Sequence, residues 1–402
     1  MSAAQSAVAG STLQHLEASF VQQTRPNAAP FTHLYSFKGG ADGAQPFAGL
    51  IELHGTLYGT TAYGGTGCSG TSGCGTVFES TPSGQETVLY RFQGGKDGAN
   101  PYAGLVDANG ALYGTTAGGG AGCSGSGGCG TVFKITTSGK ETVLYSFKGA
   151  PDGLAPIANL TVLNGTLYGT TRAGGTGCSG SSGCGTVFRI TTSGKETVLY
   201  SFQGEEREKD GAIPLAGLTR LKGALYGTTV SGGHGNLGTV FKVTASGRVT
   251  VLYRFWRNGY EPHAGLTNVE GTLYGTTYHG GANLQGTVFE ITTVGKERVV
   301  YNFKGGKDGG APDADLIELN GTLYGTTPLG GGRRENGTVF QISAAGTEHV
   351  IHAFERKRDG IDPQSKLIAV SGALYGTTVG GGGVVCTSFV PSGCGTIFEV
   401  TP

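Results

Sequence analysis

The chain has 402 residues with 28 basic against 28 acidic side chains, a balance that leaves no electrostatic footprint for nucleic acid or an anionic membrane. No apolar run approaches the ~20 residues that span a bilayer. Glycine reaches 78 residues and proline 14, close to low-complexity composition, yet the glycines recur in register between apolar, β-branched and aromatic runs, which marks turns.

Residues 1–32 lie outside any repeat. Ser11-x-x-Gln14 beside Leu13, Leu16 and Phe20 fits a capping box and a short helix; a disordered leader remnant fits equally well. This segment lacks the basic start and apolar stretch of a signal peptide. A leader is therefore expected upstream, with Met1, the sole methionine, as an added start.

From residue 33 the chain cycles. It opens on an isolated L-Y-x-F motif, Leu34 to Phe37, then runs through P-x-A-G-L (Pro46 to Leu50), L-Y-G-T-T (Leu57 to Thr61) and G-T-V-F (Gly75 to Phe78) before L-Y-x-F returns at Phe92. The tyrosine of L-Y-G-T-T recurs at Tyr58, Tyr113, Tyr168, Tyr226, Tyr274, Tyr324 and Tyr375. The four glycine-bounded runs predict strands. Four strands per ~50 residues, seven times over, predict an all-β, seven-bladed β-propeller over residues 33–402, with four antiparallel strands per blade. Asn109-Gly110 and Asn164-Gly165 mark two-residue hairpins after the first strand, and Thr137 to Lys140 is another short turn. The second and fourth connections are long and variable, so they are expected to share one face. The chain ends after a third-strand motif, Gly395 to Phe398. Leu34 to Phe37 should therefore pair as the outermost strand of the C-terminal blade and close the ring, leaving no free edge.

The cycle G-x-L-Y-G-T-T, G-G, G-T-V-F-x-I-T, L-Y-x-F, D-G, P-x-A-G-L resembles the Gloeo-Verruco (GloVer) extracellular tandem repeats over residues 33–400. That resemblance implies an extracellular propeller and supplies no agreed activity. No tryptophan-aspartate dipeptide or sialidase-type aspartate box occurs. Glu261-Pro262-His263-Ala264, Gly271 to Tyr274 and Gly281-Ala282-Asn283 are similar to one blade of streptogramin B lyases. In those enzymes a Glu-Pro-His segment carries catalytic and metal-binding groups, which the resemblance places on Glu261 and His263. The family's further histidine falls on Leu215 here, and its further glutamate near Thr277, with His279 two residues on.

Eight cysteines fall in four local pairs, Cys68/Cys74, Cys123/Cys129, Cys178/Cys184 and Cys386/Cys394, each in the loop between second and third strands. The repeat selects local disulfides from the 105 pairings that eight cysteines allow. Their main use is expected to be pinning a glycine- and serine-rich loop that lacks any core. Zinc would need histidines or Cys-x2-Cys spacing, and these loops have neither. The protein is therefore expected outside the cytoplasm, extracellular or periplasmic, as a monomer with no metal and no cofactor. Asp42, Asp97, Asp152, Asp210, Asp308 and Asp359 each precede glycine, where Asx-type turns suffice. Lys140-Glu141 and Lys195-Glu196 read as solvated turns.

Function is sought where the copies disagree. Blades 4–6 replace the cystine loops with His234, with Tyr278-His279, and with Arg333-Arg334-Glu335. The interblade loop before blade 5 becomes Trp256-Arg257-Asn258-Gly259-Tyr260-Glu261-Pro262-His263, and the one before blade 4 gains Glu205 to Lys209. Trp256, Arg257, Tyr278, His234, Arg333 and Arg334 are candidate ligand-binding residues for a glycan or another small molecule. His263, assisted by Glu261, Tyr260 or His279, is the candidate catalytic group of a lyase acting by β-elimination on a polysaccharide or lactone. A structural surface module is the third reading, with His263 as channel packing, His234 and His279 solvated, and Trp256 filling space beside a shortened loop.

Overall fold

A computed structural model describes residues 30–68, 72–123, 127–178, 183–204, 210–355, 358–383, 386 and 393–402. The candidate N-terminal helix and the charged insertion at 205–209 lie outside the described residues. Seven four-stranded antiparallel sheets form a propeller. Blade 1 runs outward from the channel as strand A (Ile51–Leu53), B (Thr56–Thr61), C (Thr76–Ser80) and D (Glu86–Arg91), and later blades repeat that order. The A–B hairpin turns through Asn109 and Gly110 in blade 2, both with positive φ (57° and 76°), the conformation of a two-residue primed turn. Strand A spans three residues. The P-x-A-G-L run, expected to be a strand, instead precedes it and lines the channel.

The repeated letters have packing causes. A Cβ on Gly59 would stand 2.5 Å from the Phe78 ring, so strand B needs glycine where the strand C phenylalanine crosses it. Thr61 and Thr76 pair hydroxyls across strands at 2.8 Å, and Thr60 donates to the Ala103 carbonyl of the next blade. Between blades, the phenylalanine of L-Y-x-F meets that of G-T-V-F edge-on. Phe92 and Phe133 lie 5.1 Å apart at 70°, and all seven interfaces repeat the contact. Such pairs add about 0.5–1.5 kcal/mol each beyond area burial.

Ring closure follows the phase of the repeat. Phe31–Ser36 pairs with Thr396–Val400, from Phe31↔Val400 to Ser36↔Thr396. The closing strand starts at Phe31, three residues before the motif, and Phe37 falls just beyond it in the core.

All four local cysteine pairs are disulfides, with Cα–Cα separations of 5.3–5.7 Å. The expectation that they pin loops lacking any core is corrected for the second cysteine of each pair. Cys74, Cys129, Cys184 and Cys394 are all buried, whereas Cys68, Cys123, Cys178 and Cys386 are only partly so. Cys74 packs with Val77 and Phe92, Cys129 with Val132 and Phe147, Cys184 with Val187 and Phe202, and Cys394 with Ile397 and Phe37. The reason is position. Each directly precedes the glycine of a G-T-V-F or G-T-I-F strand, where the chain is already entering the sheet. Their carbonyls also accept from the next interblade loop, at the amides of Asn100, Ala155, Ile213 and Gln45. The disulfide therefore ties the loop to the core through one buried sulfur, and these four cysteines are structural groups that offer nothing to a ligand.

The recurring aspartates do more than turn the chain. Asp42 accepts hydrogen bonds from the Lys38 amide and the Tyr35 hydroxyl, both at 2.7 Å. Asp97, Asp152 and Asp308 repeat the arrangement with Tyr90, Tyr145 and Tyr301. The glutamate opening strand D of the following blade packs onto this pair. Burial, then the facing aspartate, pushes Glu86 and Glu196 up to about 7 and Glu141 and Glu348 up to about 8. The expected solvated turns therefore hold for Lys140 and Lys195, which are exposed, and fail for Glu141 and Glu196, which are partly buried.

Candidate functional site

The residue after proline in P-x-A-G-L forms a ring at the variable-loop end of the channel. Phe47, Tyr102, Ile157, Leu215, His263, Asp313 and Gln364 line a cavity of about 410 Å³. Within this ring blades 1–4 contribute apolar, partly aromatic side chains and blades 5–7 polar ones. Two residues on, Gly49, Gly104, Asn159, Gly217, Gly265, Asp315 and Lys366 form a second ring. Asn159 and Asp315 accept from the amides of Gly104 and Gly265 at 2.6 Å, and Lys366 Nζ lies 3.8 Å from Asp315. The side chains that replace glycine thus lie across the channel, and a smaller cavity of about 240 Å³ continues beyond them.

His263 and Asp313 meet in the first ring. Nδ1 lies 2.8 Å from Oδ1, with the side chains 24% and 22% exposed. A carboxylate only accepts, so Nδ1 carries the proton and a neutral ring keeps its lone pair on Nε2. The Tyr278 ring stacks on His263 at 4.5 Å and 18°. Burial, with Asp313, Asp362 and Glu261 nearby, pushes the Tyr278 hydroxyl above its ordinary value, so it stays protonated.

The loops around residues 256–263 and 278–285 come together over blade 5. Tyr260 and His279 exchange backbone hydrogen bonds at 3.0 and 3.2 Å, and the Tyr278 amide donates to the Glu261 carbonyl. His279 Nε2 lies 3.6 Å from Glu261 Oε2. Tyr260, Glu261, His263, Tyr278 and His279 therefore form one cluster. The positive φ of Glu261 (55°) is shared by Gln45, Asn100, Ala155, Ile213, Ala311 and Asp362; it is the turn that delivers each proline to the channel.

Other candidates sit elsewhere. His234 packs on Trp256 at 4.4 Å and Arg257 lies 5.9 Å from the same ring, on the outer part of the face. In blades 1 and 3 the sulfurs of Cys68/Cys74 and Cys178/Cys184 cover Gly94 and Gly204 of the following loop. The His234–Trp256 pair fills the equivalent space in blade 4. Arg333 and Arg334 are exposed and line no part of the cavity. Sequence reasoning missed Asp313, Asp315, Lys366, Arg172 and the aromatic wall. Aligning P-x-A-G-L column by column across the seven copies carries that signal.

The four disulfides place the chain in an oxidising, non-cytoplasmic compartment. Among the described residues no helix is long and apolar enough to cross a membrane. Nor do three His, Cys, Asp or Glu side chains converge there to hold a metal. Asp313 on Nδ1 leaves the His263 Nε2 lone pair free, which a metal ligand also requires. Glu261, however, is turned to His279 at 3.6 Å and does not line the cavity, so the metal-binding pair implied by the lyase resemblance is not brought together.

The Gloeobacter/Verrucomicrobia repeat matches residues 19–182 and 176–398. No curated protein matches the sequence. Among solved structures, virginiamycin B lyase from Staphylococcus aureus is similar at 14% identity and a TM-score of 0.58, over 93% of this chain and 99% of that one. A puromycin hydrolase is similar at 11% identity and a TM-score of 0.52, over 87% of this chain and 53% of that one. These likenesses show the propeller fold.

Proposed function

The chain belongs to the Gloeobacter/Verrucomicrobia repeat family, and we propose that this member is an extracellular or periplasmic lyase acting on a glycan or lactone in the mouth of its channel. The observation that carries this reading is the His263–Asp313 hydrogen bond of 2.8 Å in the wall of a ligand-sized cavity. Asp313 orients the imidazole as a positioning residue. Nε2 takes the proton from a carbon next to a carbonyl, and the electron pair left behind forms a C=C bond. The C–O bond at the neighbouring carbon breaks, and the Tyr278 hydroxyl protonates the departing oxygen. Solvent returns the proton from the imidazolium to the phenolate. That virginiamycin B lyase shares the fold supports the chemistry by analogy alone. The test is a panel of uronate polysaccharides and macrocyclic lactones, followed by the ultraviolet absorbance of the new double bond. Absence of product from every substrate would remove the reading.

Binding without turnover is the second reading, favoured by Trp256, 45% exposed with His234 and Arg257 against it. It requires a ligand held on that outer platform, which replacement of Trp256 would release.

A further inference from the structure

The charges lining the cavity are matched except for one. Lys366 faces Asp315, and Asp313 faces His263. Arg172 also lines the cavity, is exposed, and among the described residues has no counter-ion. It occupies the position after the paired threonines of strand B, where the other six copies carry Ala62, Ala117, Val230, Tyr278, Pro328 and Val379. The fold itself therefore does not require a cation there. Its backbone is fixed by the Arg172 amide donating to the Ala155 carbonyl at 3.0 Å, so the side chain starts from a rigid point.

Beside Arg172 stands the aromatic wall. Tyr102 is held by a 2.5 Å hydrogen bond between its hydroxyl and that of Tyr63, and Phe47 packs against it at 5.1 Å. Burial and the Tyr63 hydroxyl keep Tyr102 protonated well above neutral pH. Blades 1 and 2 lie diametrically opposite blade 5 in a seven-membered ring, so this wall faces His263 across the mouth. A fixed aromatic surface takes the flat, apolar face of a ring. An uncompensated guanidinium takes a carboxylate, in two parallel hydrogen bonds.

We propose that Arg172 is the carboxylate-binding residue of this cavity and that the ligand is a ring-bearing carboxylate, its ring laid on Tyr102 and Phe47. The proposal rests on the cavity being the functional site, as in the lyase reading, and is independent of proton transfer by His263. Two sources share the chemistry: a uronic acid residue of a glycan and an aromatic acid.

The experiment measures binding directly by ligand-observed NMR and calorimetry, using glucuronate and phenylacetate against their neutral counterparts, glucose and phenylacetamide. At least one acid should bind about tenfold or more tightly than its neutral partner, as a charge-assisted hydrogen bond gives, and which one identifies the source. Arg172→Gln should erase that preference while leaving the neutral compound's affinity and the melting temperature unchanged. Arg172→Lys should restore part of it. Equal binding of acid and neutral partner, or a preference that survives Arg172→Gln, would overturn the proposal. Acid preference without turnover of any substrate would uphold Arg172 and remove the lyase reading; turnover without acid preference would do the reverse.

Discussion

His263 Nδ1 and Asp313 Oδ1 lie 2.8 Å apart although 50 residues separate them. Each is the residue after proline in the same motif of successive blades, so a difference of one repeat in sequence becomes one neighbour in space. Two substitutions in a single column of the repeat build the pair without any change of fold. Gln364 continues the column in blade 7 and hydrogen-bonds Asp362 at 2.9 Å, which extends the polar side of the ring.

His263→Ala is expected to lower turnover ~100-fold or more, the usual loss for a general acid or base. Its melting temperature should barely change, because the imidazole is partly exposed. Asp313→Asn should lower kcat with little effect on KM, since the carboxylate orients the imidazole without being assigned a substrate contact. Steady-state kinetics with a melting curve for each variant checks both. Unchanged kcat in His263→Ala would move the chemistry elsewhere.

Trp256→Ala should separate the outer platform from the channel. The ring covers Gly235 and His234 where other blades carry a cystine, so its removal should lower the melting temperature modestly. Binding in the cavity should be unaffected. Loss of all ligand affinity in this variant, measured by calorimetry, would instead make the outer platform the binding site.

The architecture was legible because every blade states it again. Seven glycines in strand B and seven Phe–Phe contacts answer to letters that recur in register, and the split closing blade follows from where the cycle starts and stops. The blade 5 cluster was partly legible, because Tyr260, Glu261, His263, Tyr278 and His279 depart from the repeat within two loops that share a face. Asp313 was not, because in sequence it is one acidic residue in a loop and its partner lies a full repeat away. Glu141 and Glu196 were misread for a related reason. Their burial comes from the Tyr–Asp pair of the preceding blade, which no local pattern contains. For the cystines the pairing was legible and the burial was not. Glycine and serine around Cys74, Cys129, Cys184 and Cys394 look like open loop, while the Val, Ile and Phe side chains that enclose them come from strand C and from the end of strand D.

Reducing the four disulfides should soften the variable loops while the sheets persist. Each bond closes a loop of only six or eight residues, for which the chain-entropy model gives about 2 kcal/mol. The buried thiol of Cys74 should stay packed against Val77 and Phe92, so the loop comes free chiefly at its Cys68 end. The sulfurs also cover a glycine of the next interblade loop, as at Gly94, so added mobility should appear there as well. Hydrogen exchange with and without reductant should show faster exchange near residues 62–75 and 93–98, with strand Thr56–Thr61 still protected. Global unfolding on reduction would contradict this. Non-reduced peptide mapping should recover each local pair in one cross-linked species.

Stability should peak in mildly acidic solution and fall toward pH 9. Glu86 and Glu196 are pushed up to about 7, and Glu141 and Glu348 to about 8, from an ordinary 4.5. Their contribution is fully present below about pH 4.5 and is lost as pH rises through 7 to 8, because the unfolded chain releases these protons first. His352 works in the opposite sense: burial lowers it to about 4 from 6.5, so its contribution is complete above 6.5 and lost as pH falls through 4. Glu141→Gln, which keeps the shape and removes the charge, should flatten the decline between pH 5 and 9. A wild-type melting temperature that rises toward pH 9 would defeat the assignment. The two effects also separate in space. Between blades 6 and 7, Phe31 stacks on His352 at 3.7 Å and 4°, where four other interfaces set a glutamate on the tyrosine–aspartate pair. Hydrogen exchange in strand Phe31–Ser36 should therefore quicken near pH 4, whereas strand Glu141–Ser146 should loosen near pH 9.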